Sequence, residues 1–332
     1  MTSRVLALTA LAVVVGACSS PEKLALPTPP ESSAHAASAP PIDPSLDIAY
    51  MTQTSGGTQS DLYLLRSNGN GRQLILSLPG QAYLPDWAPG GDSLVFTWDA
   101  HPEGTSPIWI VRADGSGLRP VSSDTSYAYG ARWSPDGQSL AFFHMVTLDI
   151  YDIGITKTDG SDLRLLLNGE AQVLGMGLPT WAPDGKRIAF ESAGADYNPN
   201  GLFVANLDGS DLHQLTQSAN DQSVRWSPDG SRLAYTQWNG LGPGFRFSLM
   251  VSNGDGSNPE ALTTDVRDYY PTWSPNGKTI AFIRLPNAPP SYCSVYTIPA
   301  QGGAPVEITP DLHSPACAGI AWRPKRNGSN AW

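Results

Sequence analysis

The sequence predicts an all-β fold, a six-bladed β-propeller of four-stranded antiparallel blades, on three observations. A tryptophan-centred turn motif recurs every 45 to 49 residues. A second hairpin signal, Asp-Gly-Ser, falls inside most of the repeats. The repeat region also opens on strands that lack their tryptophan motif and ends on a tryptophan motif that lacks its following strands.

The first motif is Trp87-Ala88-Pro89-Gly90-Gly91, followed by Trp133-Ser134-Pro135-Asp136-Gly137, Trp181-Ala182-Pro183-Asp184-Gly185, Trp226-Ser227-Pro228-Asp229-Gly230 and Trp273-Ser274-Pro275-Asn276-Gly277. Trp322-Arg323-Pro324 begins a sixth copy. Proline at the second and glycine at the fourth position of Ser-Pro-Asp-Gly set a type I turn, so two antiparallel strands meet there. An apolar triplet follows each turn, such as Leu94-Val95-Phe96 or Ile188-Ala189-Phe190. Asp114-Gly115-Ser116, Asp159-Gly160-Ser161, Asp208-Gly209-Ser210 and Asp255-Gly256-Ser257 then supply a second hairpin, flanked by strands such as Ile108–Val111 and Leu202–Ala205. Each repeat is thus a meander of strands A, B, C and D. A lone meander leaves an apolar face on each side, and stacking the repeats into a ring covers both.

At the amino end of the repeats, Leu46–Tyr50 reads as a strand B, Asp61–Arg66 as C and Gln73–Leu78 as D. Their missing strand A is Ala318–Trp322, so head and tail complete one blade and clasp the ring. The propeller spans residues 46–324, with 325–332 as a tail. Before it, Val5–Val15 is an apolar run behind Arg4, too short for a stable membrane span and ending in small residues, as export signals do. Val15-Gly16-Ala17-Cys18 resembles the lipobox of bacterial lipoproteins. That resemblance implies that residues 1–17 are a signal peptide, that Cys18 is acylated, and that Ser19 directs the protein to an outer membrane where one exists. Residues 18–45 are rich in Pro, Ala and Ser and read as a semi-rigid tether.

The repeats are similar to those of the TolB-like propellers and the wider WD40-like (PD40) repeats, over essentially all of residues 46–324. The resemblance is specific for fold and poor for function, because such repeats occur in periplasmic scaffold proteins, in oligopeptidase propellers and in some polysaccharide lyases. TolB itself carries a further α/β domain, for which residues 19–45 are too short.

Composition narrows the partners. A net charge of -10 and the lack of a basic run argue against nucleic acid and against an anionic membrane surface. Membrane contact is expected through Cys18 alone, the location is extracytoplasmic, and a monomer is expected. The A–B and C–D turns share one face of the disc. The other face collects longer connections, notably Asp99–Pro107, Gly194–Gly201, Asn239–Gly244 and Leu285–Ser291, and recognition is expected there.

Strand A is innermost in the family, which implies that residues four and five before each tryptophan ring the channel mouth. These include Tyr83, Tyr129, Gln222 and Tyr269, preceded by Asp221 and Asp268 in their strands. Tyrosines beside acceptors suit peptide or carbohydrate recognition. Packing alone would also account for them, with tyrosines filling the taper and aspartates ending loops. Trp98, His144 and Glu191, near the ends of B strands, are further candidates.

No Gly-x-Ser-x-Gly elbow is present, and His101, His144, His213 and His313 are not at metal-ligand spacing. Asp-Gly-Ser-Asp lacks the spacing and terminal Glu of a calcium loop. No metal and no cofactor are expected. Cys293 and Cys317 fall at the start of a strand C and of the next strand A, on one face of adjacent blades; a disulfide there would reinforce the clasp, and two buried thiols are the other reading. The leading functional expectation is a binding or scaffold protein for an envelope protein, peptide or glycan. The alternative is a polysaccharide lyase or other glycan-processing enzyme at the channel mouth, and a third option is a structural cell-surface protein.

Overall fold

In a computed structural model, residues 43–325 are described apart from 44, 55, 100–107, 122–127, 148–149, 168–173, 176, 194–198, 217, 219, 239–245, 265, 287–291, 313 and 315. The leader, Cys18, most of the tether, His101 and His313 lie outside the described residues, as do most of the long connections on the expected recognition face. Every regular element among the described residues is a strand.

The repeats become meanders as the turn chemistry requires. The first contains β1 (Ile48–Gln53), β2 (Gln59–Leu65) and β3 (Gln73–Pro79). The second is β4 (Gln81–Trp87), β5 (Ser93–Asp99), β6 (Ile108–Arg112) and β7 (Arg119–Pro120). The third is β8 (Ala128–Trp133), β9 (Ser139–Thr147), β10 (Ile150–Lys157) and β11 (Arg164–Leu165). In the fourth, the short strands β12 (Leu174–Gly175) and β13 (Thr180–Trp181) both pair with β14 (Arg187–Ala193), followed by β15 (Pro199–Asn206) and β16 (His213–Gln214). Strand β15 therefore starts at Pro199, inside the segment 194–201 that the sequence assigns to a connection. The fifth is β17 (Asp221–Trp226), β18 (Arg232–Trp238), β19 (Phe247–Asn253) and β20 (Glu260–Ala261). The sixth is β21 (Arg267–Trp273), β22 (Thr279–Leu285), β23 (Ser294–Pro299) and β24 (Val306–Glu307). One parallel residue pair, Phe247 with Arg267, joins these last two into an eight-stranded sheet.

The last strand, β25 (Ala316–Trp322), pairs antiparallel with β1, from Ile48 opposite Trp322 to Gln53 opposite Ala316. Each meander's first strand lies against the next: β4 on β8, β8 on β13, β13 on β17, β17 on β21, with both β21 and β4 on β25. The first strands thus gather about one axis.

Apolar clusters fill the spaces between successive sheets. Met51, Leu62 and Leu64 of the first meander pack with Leu94, Phe96 and Trp109 of the second, and Ile48 and Tyr50 pack with Ile283 and Val295 of the sixth. Burying such side chains contributes ~1.5–3 kcal/mol each, which is what isolated meanders would forgo. The motif tryptophans add direction to this packing. Trp181 Nε1 donates to Arg132 O and Trp273 Nε1 to Arg225 O, both at 3.2 Å, tying each motif to the strand one meander back. Arginines stack on the tryptophan of the next meander: Arg187 on Trp226, Arg232 on Trp273 and Arg323 on Trp87.

The C–D glycines serve two ends at once. Gly69, Gly115, Gly209 and Gly256 hold φ between 80 and 85° or close to it, at 85, 78, 80 and 80°. A Cβ on them would run into the backbone carbonyls of Ile308, Ile75, Leu166 and Leu215 on the preceding meander. Only glycine meets both demands.

Candidate functional site

Four of the six first strands carry the same irregularity. Their pairing with the second strand shifts register between Tyr83 and Asp86, Tyr129 and Arg132, Gln222 and Arg225, and Tyr269 and Thr272. Each shift is a β-bulge, in which an extra residue opposes the partner strand. The residue three before the tryptophan takes the left-handed conformation: Leu84, Ser223 and Tyr270 at φ 57, 57 and 53°, and Gly130 at 66°. Gly319 of β25 occupies the same position at φ 136°.

The bulge redirects side chains toward the axis. A Cβ at Gly130 would overlap Leu178 Cδ2 and come within 3.5 Å of Leu84 Cδ1, so β8, β4 and the segment between β12 and β13 meet at that level. Tyr270, from β21, interacts electrostatically with Glu191 of β14, Arg132 of β8 and Tyr83 of β4. Burial, Glu191, Tyr269 and Tyr83 push its phenol up to about 12 against the opposing effect of Arg132. Bulge amides are satisfied from the preceding meander: Gly130 N donates to Thr97 Oγ1 at 3.0 Å, and Ser223 N to Glu191 Oε2 at 3.0 Å. Glu191 is partly exposed, yet the crowding around its carboxyl makes desolvation lift it to about 7 despite the amides of Ser223 and Leu178. Gly177 makes room for it, since a Cβ there would overlap the Glu191 side chain.

Two positions nearer the turn, the residues preceding the tryptophans include Asp86, Arg132 and Arg225. Arg225 Nη1 reaches Asp86 Oδ1 at 3.2 Å, from β17 to β4, strands that are not neighbours around the axis. Asp86 Oδ2 accepts from Trp133 N at 3.1 Å. Arg132 is 3% exposed, and burial with the nearby Arg225 pushes its guanidinium down to about 9.

The residues singled out in the sequence separate into two groups. Tyr83 and Tyr129 come together from adjacent first strands with ring centroids 5.7 Å apart, both partly exposed. Tyr269 contacts Phe247 at 4.5 Å and Tyr270 at 6.3 Å. Gln222, partly exposed, occupies the equivalent place on β17, and its carbonyl accepts from Thr236 Oγ1. These four stand at one level of the first strands.

Asp221 and Asp268 do not face an opening. They are 3% and 0% exposed, and each is held by its cross-strand partner: Gln237 Nε2 donates to Asp221 at 2.8 Å, and Arg284 grips Asp268 through two bonds of 2.7 and 2.8 Å. The pleat turns this position, five before the tryptophan, between blades. Trp98 and His144 share that side of the B strand and are buried likewise at 2% and 7%, with Trp98 Nε1 bonded to Pro79 O. Glu191 sits one register step away, on the side that reaches the axis. Among the described residues, no three His, Cys, Asp or Glu side chains assemble as metal ligands would.

A sequence reading confined to the residues four and five before each tryptophan missed Asp86, Arg132, Arg225 and Tyr270. A signal existed: the position before each tryptophan changes from Asp to Arg to Thr while its surroundings stay constant.

Cys293 and Cys317 are joined, with Cα atoms 5.8 Å apart, linking the start of the β23 segment to β25. Arg323 continues the clasp, donating through Nε to Gly91 O at 2.6 Å and through Nη1 to Leu46 O at 3.2 Å.

No family model matches the chain. The Tol-Pal system protein TolB of Alcanivorax borkumensis is 30% identical over 87 residues, which is 26% of this chain and 19% of that protein. The match thus spans about a fifth of that relative's length. The crystal structure of TolB from Acinetobacter baumannii superposes with a TM-score of 0.70 at 17% identity, covering 86% of this chain and 68% of that one. A chain of the nidogen/laminin complex superposes at 0.65 with 14% identity, covering 83% and 98%. In fold, therefore, the chain is a TolB-like β-propeller.

Proposed function

We propose that this chain is a non-catalytic, lipid-anchored extracytoplasmic binding protein, built as a closed six-bladed ring, that recognises a protein or peptide of the cell envelope through the long-loop face. The pairing of β25 with β1, the seat of β25 between β21 and β4, and the nesting of Gly69 on Ile308 support closure. A rigid ring with short turns on one face and longer connections on the other is a scaffold for recognition at the latter. The observation that carries the reading is the meeting of Tyr83 and Tyr129 at the level of Tyr269 and Gln222. Partly exposed tyrosines on a fixed backbone present large contact area at little entropic cost.

Two comparisons lend support. The A. baumannii neighbour is a TolB protein, and the nidogen/laminin neighbour comes from a complex between proteins. The glycan-processing alternative receives less support, because Asp221 and Asp268 are engaged by Gln237 and Arg284 rather than paired for catalysis.

The test uses the chain with Cys18 replaced by Ser, so that it is released from the membrane, and compares it with a Tyr83→Ala, Tyr129→Ala, Tyr269→Ala variant in cross-linking to envelope proteins. The variant is expected to lose at least ~90% of the specific cross-linked product, in keeping with hot-spot aromatics, while its thermal transition stays cooperative. Equal cross-linking by both proteins removes the mouth as the recognition site.

A further inference from the structure

The axial arginine Arg132 is a buried cation whose Nε has no partner among the described residues. Among the described residues its two hydrogen bonds both leave from Nη1, to Leu84 O at 3.2 Å and Ala131 O at 3.1 Å. No carboxylate lies within ion-pair distance of Arg132 among those residues. The nearest candidate, Asp86, is committed on both oxygens, to Arg225 and to the amide of Trp133. Removing a guanidinium from water costs several kcal/mol, and buried charges are ordinarily paired for that reason. Arg225 adds repulsion, and burial still leaves Arg132 protonated at neutral pH, its pKa being pushed down only to about 9.

The Nε–Nη2 edge of a guanidinium is the edge that receives a carboxylate through two parallel bonds. Two arginines against one aspartate give this layer a local charge of the opposite sign to the chain's net -10. Arg132 is only 3% exposed, so an anion that reaches its guanidinium must be small.

We propose that Arg132, with Arg225 and Asp86 fixing the charge around it, forms an axial site for a small carboxylate anion, distinct from the tyrosine mouth and independent of what that mouth recognises. The anion completes the hydrogen bonding of Arg132 and neutralises the layer. Binding to the folded chain alone stabilises the fold in a saturable manner.

Sodium formate is the probe, titrated into the full chain at constant ionic strength maintained with sodium chloride, with formamide as an uncharged control of similar shape. The melting temperature is expected to rise and saturate with formate and to stay flat with chloride or formamide. Carbon-labelled formate should show a line-broadened, displaceable signal in the presence of the protein. Arg132→Lys, which keeps the charge and loses the fork, is expected to weaken half-saturation about tenfold. Arg132→Met is expected to abolish the formate response without lowering the melting temperature in chloride, because replacing a buried cation by an apolar side chain of similar length is commonly neutral or stabilising. If Arg132→Met does not fold, the lysine variant and the labelled-formate spectrum decide the matter. A non-saturable response, an equal response to chloride, or half-saturation unchanged in Arg132→Lys overturns the site. The Tyr83, Tyr129, Tyr269 variant should bind formate as the parent does, so failure of the mouth and failure of the axial site are read separately.

Discussion

Glu191 shows how one residue acquires its chemistry from its place. It stands on β14 at the register where β5 carries Thr97, and both accept a bulge amide from the next meander. A threonine meets that need without charge, whereas a carboxylate must be desolvated. The folded chain keeps the Glu191 proton up to about 7, and the unfolded chain releases it near the ordinary value of 4.5. Stability therefore falls as pH rises through that interval and levels off above it, by about 3 kcal/mol at most. The groups facing the carboxyl are the amides of Ser223 and Leu178 and the phenol of Tyr270. Glu191→Gln should flatten this part of the profile and melt above the parent at pH 8, as followed by thermal denaturation across buffers. Gly177→Ala should do the same by displacing the carboxyl from its recess. A profile unchanged in both variants would mean that Glu191 stays solvated. The sequence draws attention to Glu191 as a strand-end carboxylate and, by its spacing from Trp181, to Gly177 as a mouth position, but nothing in the pattern says that the glycine leaves a recess for the carboxylate fourteen positions later.

At the scale of the strand, the recurrent bulge decides which side chains reach the axis. Non-glycine residues at Leu84, Ser223 and Tyr270 hold left-handed backbone at a cost of about 1 kcal/mol each. Ser223→Gly relieves that strain at the smallest of these side chains and should stabilise the fold by roughly 0.5 kcal/mol after the entropy of the unfolded chain is counted. Gly130→Ala adds both strain and overlap with Leu178, and should destabilise by about 2 kcal/mol. Urea unfolding of the two variants checks both signs. The turns were legible because Pro, Asp and Gly act locally: Gly137 N bonds Ser134 O, and Ser116 N bonds Asp114 Oδ1, as their turn types require. The bulge was not legible, because its residues are Leu, Gly, Ser and Tyr and share only a position. Taking the residues four and five before each tryptophan as the mouth placed Asp221 and Asp268 there and passed over Asp86, Arg132 and Arg225.

For the molecule as a whole, the pairing of β25 with β1 was legible from incomplete repeats at both ends, since a strand without its neighbour must find one elsewhere. The face that carries the long connections is the part on which sequence pattern says least. Segments such as 100–107 and 239–245 hold no repeat signal and lie outside the described residues. The Cys293–Cys317 bridge closes a loop of 24 residues and anchors β25 to the sixth meander. Cross-linking a loop of this size contributes ~3 kcal/mol by restricting the unfolded chain. Reduction, or Cys317→Ser, should lower stability by that amount, and thiol titration of the unfolded protein should find the two sulfhydryls only after reductant. Two free thiols beforehand would contradict the bridge.

The pairing of Ile48 with Trp322 also sets a timetable. A chain emerging amino end first offers β1 to its surroundings long before the strand that covers it has been made. Until those final residues arrive, the exposed margin of β1 is open to any passing extended segment, so a chaperone or a delay in release would act most strongly in that interval. Ribosome stalling just short of Ala316 would leave a chain whose opening strand is still searching for company.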